Sequence, residues 1–311
     1  MNRRGYIIRR VLLLFPTILA IYTITFFLMH ATPGGPWSNL GDKPIPPIIL
    51  ERLNAAYGLD KPLWQQYVTY LGHAAHGNFG PSYANRSLTV SDIIRQAFPV
   101  SLKLGLVAMF MAVVAGVGLG IIGAVKHNTW MDYITSLTAI IGISTPSYVV
   151  VSVLVLFLAS RLHLLPTGGW DGILSTKVII PAFALALYPA AVLARYTRSS
   201  MLDVLKMDYV RTARAKGLSE KRVLFGHTVQ NALLPVITVT GLILADVVTG
   251  SFFVESIYSV PGIGRYFVQS ITNRDYPVIL GTVLLFGVLI SVMNLVVDIL
   301  YQFLDPRIQL N

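Results

Sequence analysis

Six apolar runs punctuate the chain, at residues 11–30, 100–125, 133–160, 177–196, 234–254 and 278–303. A bilayer core about 30 Å thick takes roughly 20 residues of helix, so each run is long enough to cross it. The connection between the first two runs, residues 31–99, carries a helical pattern of its own. Pro46-Pro47 open a segment in which Ile49, Leu50, Leu53 and Ala56 recur at helical spacing, and Gly58 closes it. Asp60 is expected to cap a second helix with Leu63, Tyr67, Tyr70 and Leu71 on one face and Trp64 beside it, before the turn-rich stretch Gly72 to Pro81. Ser91 to Phe98 forms a third amphipathic piece that leads through Pro99 into the second run. The pattern predicts an all-α integral membrane protein with six transmembrane helices and a helical extracytoplasmic loop between the first two. That loop reads equally as a cover for helix ends and as a surface that receives a partner or substrate.

Composition narrows the class. Of the 311 residues, 54% are hydrophobic and 12% charged, with mean hydropathy +0.66, which excludes a cytosolic enzyme. The net charge of +10 becomes informative only once the cations are placed. Arg3, Arg4, Arg9 and Arg10 hold residues 1–10 in the cytoplasm, so 197–233 and the tail 304–311 are cytoplasmic and 255–277 lies outside. On this topology 14 of the 24 Lys and Arg residues lie inside and 10 outside. The basic balance is a topology signal, and nucleic acid is not expected as a partner. The first run ends on Met29-His30-Ala31, without a small-x-small cleavage site, and reads as a retained anchor. With no cysteine, disulfides, thiolate nucleophiles and Cys-ligated metals are excluded.

The inner loop carries the most specific local pattern. Counting Arg195 just ahead of it, eight cations and three anions surround a helix, a glycine break and a second helix. Tyr209-Val210-Arg211-Thr212-Ala213-Arg214-Ala215-Lys216 is a short helix of small and basic residues; Gly217 ends it in the left-handed conformation, and Ser219 is placed to cap the next. Such a helix is thin enough to enter a groove on another protein.

No phosphate-binding G-x-x-x-x-G-K-[ST] loop is present, and the six histidines (30, 73, 76, 127, 163 and 227) are scattered. The chain is therefore expected to bind no cofactor or metal and to be no enzyme. Ionisable groups inside spans are functional candidates. Asp246, near the middle of the fifth run, reads as a hydrogen-bonded residue facing the bundle or a water-filled passage; a proton-coupled carrier is the alternative. Asp298 reads as an interfacial carboxylate. Pro146, Pro181 and Pro189 free backbone carbonyls, and Ser144-Thr145-Pro146-Ser147 reads as lining of a polar translocation path or as ordinary interhelical bonding.

Asp208-Tyr209-Val210-Arg211-Thr212-Ala213-Arg214-Ala215-Lys216-Gly217-Leu218, followed by Asn231-Ala232-Leu233-Leu234-Pro235, resembles the cytoplasmic signature of permease subunits in binding-protein-dependent ABC importers, in its peptide-transporter form. Gly217 and Ala213 fit the broad family pattern, Thr212 replaces an alanine, and Arg211 stands where a glutamate is usual. Gly58-Leu59-Asp60-Lys61-Pro62, His76-Gly77-Asn78-Phe79-Gly80, Thr197-Arg198-Ser199-Ser200-Met201, Arg274-Asp275-Tyr276 and Asp305-Pro306-Arg307 agree with the same branch. Phe98-Pro99-Val100-Ser101 and Gly168-Gly169-Trp170 look more like the oligopeptide B-type subunits than their dipeptide counterparts.

The resemblance implies the type I ABC importer permease fold in a bacterial inner membrane, as the pore half of a peptide importer. It implies a homologous second permease (C type), two ATP-binding subunits (D and F type) that hold ATP and Mg, an extracytoplasmic peptide-binding protein, and a peptide substrate. It further implies that Asp208, Tyr209, Arg211, Thr212, Ala213, Arg214, Ala215, Lys216 and Gly217 form the coupling helix seated in one ATPase subunit. Small Thr212, Ala213 and Ala215 are expected to permit close approach, and Arg211, Arg214 and Lys216 to pair with the partner.

Overall fold

A computed structural model describes residues 3–38 and 45–304. The described residues are helical almost throughout, and their one backbone bridge of β type joins Pro81 to Thr89. Among the described residues five helices are each long and apolar enough to cross a membrane, and a sharply bent helix pair supplies a sixth crossing when counted as one span. The chain divides into two compact units, Met1–Ser101 with Pro261–Val292, and Leu102–Val260 with Met293–Asn311.

The first unit starts with α1 (Arg3–Ala31). The hydroxyls of Thr17, Thr23 and Thr25, and of Thr32 just past its end, each donate to the carbonyl four residues back, at 2.7–2.9 Å, so these threonines are satisfied locally. Helix α2 (Pro47–Tyr57) opens on Pro46 and closes at Gly58, whose φ of 68° lets Leu59 N–H reach back to the Asn54 carbonyl. Helix α3 (Leu63–Ala75) begins one residue after Pro62, not at Asp60. Proline already holds the extended N-cap conformation, and its carbonyl accepts from Gln65 and Gln66, so no capping carboxylate is used.

Helix α4 (Val90–Val125) runs unbroken through Pro99, so the third amphipathic piece and the second apolar run are one helix. Helices α12 (Ile263–Asn273) and α13 (Tyr276–Leu304) complete this part of the chain, α4 and α13 both continuing into the second unit. The core of the first unit is aromatic: Tyr22, Phe26, Met29, Trp37, Tyr83, Tyr276, Leu280 and Leu284 are buried together. Asp275, 2% exposed, binds the segment ahead of α4 to the start of α13. Its carboxylate accepts from Ser82 Oγ, from the Tyr83 and Ala84 amides at 3.1 Å, and from the Val278 amide at 3.4 Å. The carboxylate sits at the N-terminus of α13, where the helix dipole adds to these bonds.

The second unit is built on α7 (Ile179–Leu205), whose inward face is rich in alanine. That leaves room for backbone contact with α4 and with α5 (Trp130–Ser144). A Cβ added at Gly116 would lie 2.6 Å from the Ala190 carbonyl oxygen, one at Gly120 2.7 Å from that of Ala194, and one at Gly142 2.7 Å from the Ala191 Cβ. Such small-residue seams hold helices together where lipid removes the hydrophobic drive. Helix α6 (Ser147–Leu154) continues to Arg161 through a wider, π-type stretch and meets α5 at 102°. Thr145 is extended, as a residue before proline favours, and Pro146 starts the new helix. Helix α10 (Gln230–Val248) and the short α11 (Phe252–Ile257) follow, and Tyr258 OH donates to the Pro166 carbonyl at 2.8 Å, closing the 162–178 segment over α11.

Candidate functional site

Between α7 and α10 the chain makes a corner of two short helices, α8 (Asp208–Ala215) and α9 (Glu220–Val223). Met207, in extended conformation, breaks α8 from α7, and Asp208 in the first turn suits the positive end of the helix. Gly217 has φ 76°, and its N–H donates to the Arg214 carbonyl at 2.9 Å, which stops the helix as the sequence predicts. Ser219 occupies the N-cap of α9 with its backbone alone: its carbonyl accepts from Arg222 and Val223, and its hydroxyl makes no capping bond.

Helix α8 has two distinct faces. Val210 and Ala213 are buried against Val204, Leu218 and the fully buried Val223, which fastens α8 to the end of α7 and to α9. Asp208, Tyr209, Arg211, Thr212, Ala215 and Lys216 stand on the exposed side. Ala213, expected from the family resemblance to permit close approach of a partner, is instead 6% exposed and turned inward, three residues on from the buried Val210. Arg214 is also partly committed within the loop, with Nε 3.0 Å from Glu220 Oε1. Arg211 lies 3.8 Å from Asp208, a loose exposed pair, and the Thr212 hydroxyl bonds back to the Asp208 carbonyl.

Residues of α7 and α10 continue the connection. Ser200 Oγ donates to the Ala232 carbonyl at 2.8 Å, and Ala124, Met201, Val229 and Ala232 are buried as one cluster. The entry to α10 (Leu224–Val229) is π-helical, and Thr228 Oγ1 reaches the Val223 carbonyl five residues back.

An ion pair that spacing does not reveal lies at the start of α5. Asp132, 3% exposed, accepts from Arg198 Nε at 2.6 Å and Nη2 at 2.8 Å, from the Asn128 amide at 3.0 Å, and lies 3.1 Å from His127 Nδ1. Gly123 leaves the space for it, since a Cβ there would meet Thr135 and Arg198. The only sequence signal for Arg198 is its place in the Thr197–Met201 motif; 66 residues separate the two partners.

Arg198 and Arg195 also line a cavity of about 440 Å³ between α4, α5 and α7, together with Leu119, Ser136 and Ser144. Ser144 is thus in a polar-edged cavity, while Thr145 Oγ1 is taken up by the Ile141 carbonyl at 2.7 Å. Pro146 is exposed and Ser147 half-buried at the 102° bend. Asp246 is exposed on α10; its own carbonyl accepts from Thr249 Oγ1, and no hydrogen bond joins it to the Ser144–Ser147 segment among the described residues. The Asp298 side chain and the Asp305-Pro306-Arg307 motif lie outside the described residues. Among the described residues no group of three His, Asp or Glu side chains is arranged to hold a metal.

Comparison with known proteins decides the family. Residues 116–310 match the family described as "Binding-protein-dependent transport system inner membrane component", and residues 3–105 match its N-terminal companion. The chain belongs to this family of inner-membrane transport components. It is 43% identical over 304 residues to the oligopeptide transport system permease protein OppB of Escherichia coli K12, covering 98% of this chain and 99% of that one. It is 42% identical over 306 residues to the dipeptide transport system permease protein DppB of Bacillus subtilis, with 98% of both chains covered. Among solved structures, an inward-facing form of the MetNI methionine ABC transporter matches with a TM-score of 0.58 at 15% identity, over 68% of this chain and 96% of that one. The fold is thus that of type I ABC importer permeases.

Proposed function

We infer that the chain is one half of the translocation pore of an ATP-driven, binding-protein-dependent peptide importer, with both termini in the cytoplasm. Near-full-length identity to oligopeptide and dipeptide permeases is the observation that carries this reading. The two identities are within a percentage point of each other, so they leave the length of the peptide to experiment.

In this reading α8 is the coupling helix. A coupling element must transmit displacement without absorbing it, and α8 is fastened by Val210 and Ala213 while its other face is open. Arg211, Thr212, Ala215 and Lys216 meet the ATPase; Arg214 shapes the corner through Glu220. Closure of two ATPases over ATP and Mg then swings α8 with the inner ends of α7 and α10 as a rigid body. Peptide arrives from an extracytoplasmic binding protein and passes between this chain and a homologous second permease.

The test is peptide uptake into proteoliposomes holding both permeases and both ATPases, with the binding protein outside, using dipeptides and longer peptides in parallel. Uptake is expected to require ATP and to vanish without this chain. Uptake that persists on a proton gradient after ATP is removed would overturn the reading in favour of a carrier built on Asp246.

A further inference from the structure

We propose that α3 is immersed in the outer leaflet of the membrane, with Trp64 and Val68 against lipid acyl chains and Gln65, Thr69 and His73 turned to the headgroups and water. This goes beyond the transport reading and needs from it only the orientation of the first span.

The depth of α3 follows from its contacts with α1. Tyr67 OH lies 2.8 Å from Thr23 Oγ1, the Tyr67 carbonyl accepts from Tyr22 OH at 2.8 Å, and the Tyr67 ring stacks on Phe27 with centroids 5.9 Å apart. With Arg9 and Arg10 at one interface, about 20 residues of α1 carry it through the hydrocarbon, to the neighbourhood of His30. Thr23 is seven residues short of that, about 10 Å inside the outer boundary at 1.5 Å per residue. A helix whose Tyr67 touches Tyr22, Thr23 and Phe27 is alongside the span, not above it.

The side chains of α3 fit that location. No Asp, Glu, Lys or Arg occurs from Pro62 to Asn85, whereas about a quarter of an ordinary soluble chain is charged. Around the helix the residues sort into three sectors. Tyr67, Tyr70 and Ala74 turn toward the aromatic core of the unit. Gln65, Thr69 and His73 form a polar stripe. Between these, Trp64, Val68, Gly72 and Ala75 make an apolar stripe that is open: Trp64 is 70% exposed and Val68 59%. Through Tyr67 the open stripe continues onto Phe27, itself 52% exposed on the spanning helix α1. An apolar arc wider than its protein contact, continuous with a transmembrane surface and edged by an uncharged polar stripe, is the form of an interfacial helix, and tryptophan at its edge suits the headgroup boundary.

The absence of native cysteine makes the test direct. Val68→Cys and Thr69→Cys are labelled with a nitroxide in the complete transporter, assembled with cysteine-free partner subunits in proteoliposomes. Accessibility to oxygen, which partitions into lipid, is compared with accessibility to a water-soluble nickel chelate. The Val68 position is expected to favour oxygen several-fold over the Thr69 position. Equal nickel accessibility at both positions would overturn the proposal in favour of a solvated cap, and shielding of Val68 from both reagents would overturn it in favour of a protein partner. Should either labelled variant fail to assemble, quenching by dibrominated phospholipid is compared between the native chain and Trp64→Phe. Loss of a quenched component on removing Trp64 supports immersion, and identical quenching in the two refutes it.

Discussion

Arg198 holds Asp132 at two points, Nε to Oδ1 at 2.6 Å and Nη2 to Oδ2 at 2.8 Å, so that α7 and the first turn of α5 are joined by a buried carboxylate. Removing one partner strands the other, which costs about 2–3 kcal/mol once the partial exposure of Arg198 is allowed for. Arg198→Ala is expected to lower the thermal midpoint of the purified transporter, and the Asp132→Ala, Arg198→Ala double variant to lose less than the sum of the singles. Additive losses would mean the two residues act independently. Arg198→Lys should recover only part of the stability, because an ammonium lacks the planar fork that meets both oxygens.

Gly217 sits at φ 76° with no atom within 4 Å of where a Cβ would be, so backbone conformation and not space restricts the position. A valine there is disfavoured by about 1–2 kcal/mol and is expected to reshape the corner after α8. Gly217→Val should insert normally and leave ATP hydrolysis in place while uptake falls roughly tenfold, the equivalent of about 1.4 kcal/mol of lost coupling. Gly217→Asn, which tolerates the left-handed region, should transport nearly as well as the native chain. Wild-type uptake by the valine variant would remove α8 from the coupling role.

The two ends of α8 separate by charge. Arg211→Glu with Lys216→Glu is expected to reduce co-purification of the ATPase subunits and their stimulated hydrolysis, since both side chains stand on the open face. Glu220→Gln loosens only an exposed pair with Arg214 and should shift the thermal midpoint by less than about 1 kcal/mol equivalent. Reversed sensitivities would place the contact face on α9.

Asp275 accepts from Ser82 and from the Tyr83 and Ala84 amides in a buried place. Asp275→Ala leaves those donors unpaired, at a cost of about 3 kcal/mol or more. The expected sign is faster proteolysis between α3 and α4 in intact proteoliposomes, with α8 coupling unaffected.

Burial, and then the nearby Asp275 carboxylate, push the Tyr83 phenol well above its ordinary range. An acid whose folded form releases its proton less readily than the unfolded form loses stability as pH rises. The transporter should therefore become less heat-stable as pH climbs past about 10, the ordinary tyrosine value, and Tyr83→Phe should flatten that slope. An unchanged slope would assign the loss to other groups.

Much of this was written in the order of residues. The apolar runs, Pro46 and Gly58 around α2, and Gly217 after α8 are local signals: length, fixed φ and a left-handed turn act within a few residues, and no distant partner is needed to express them. Ala213 shows where that reasoning stops. Its size made it a plausible contact for a partner, yet which side of a short helix faces inward depends on Val223 and Val204, which lie on other elements. Asp60 failed as a cap because Pro62 already had the conformation a cap requires.

The sequence by itself determined that this chain lives in a membrane and where its exposed corner falls, because those properties follow from hydropathy and backbone preference summed over short windows. Tertiary structure alone decided that Asp132 meets Arg198, that Asp275 gathers the outer segment, that a helix pair bends by 102°, and that α3 lies beside α1 at the level of Thr23. Each of these joins residues far apart in the chain or sets an angle between helices, and neither packing distance nor helix direction is encoded in the period of any single segment.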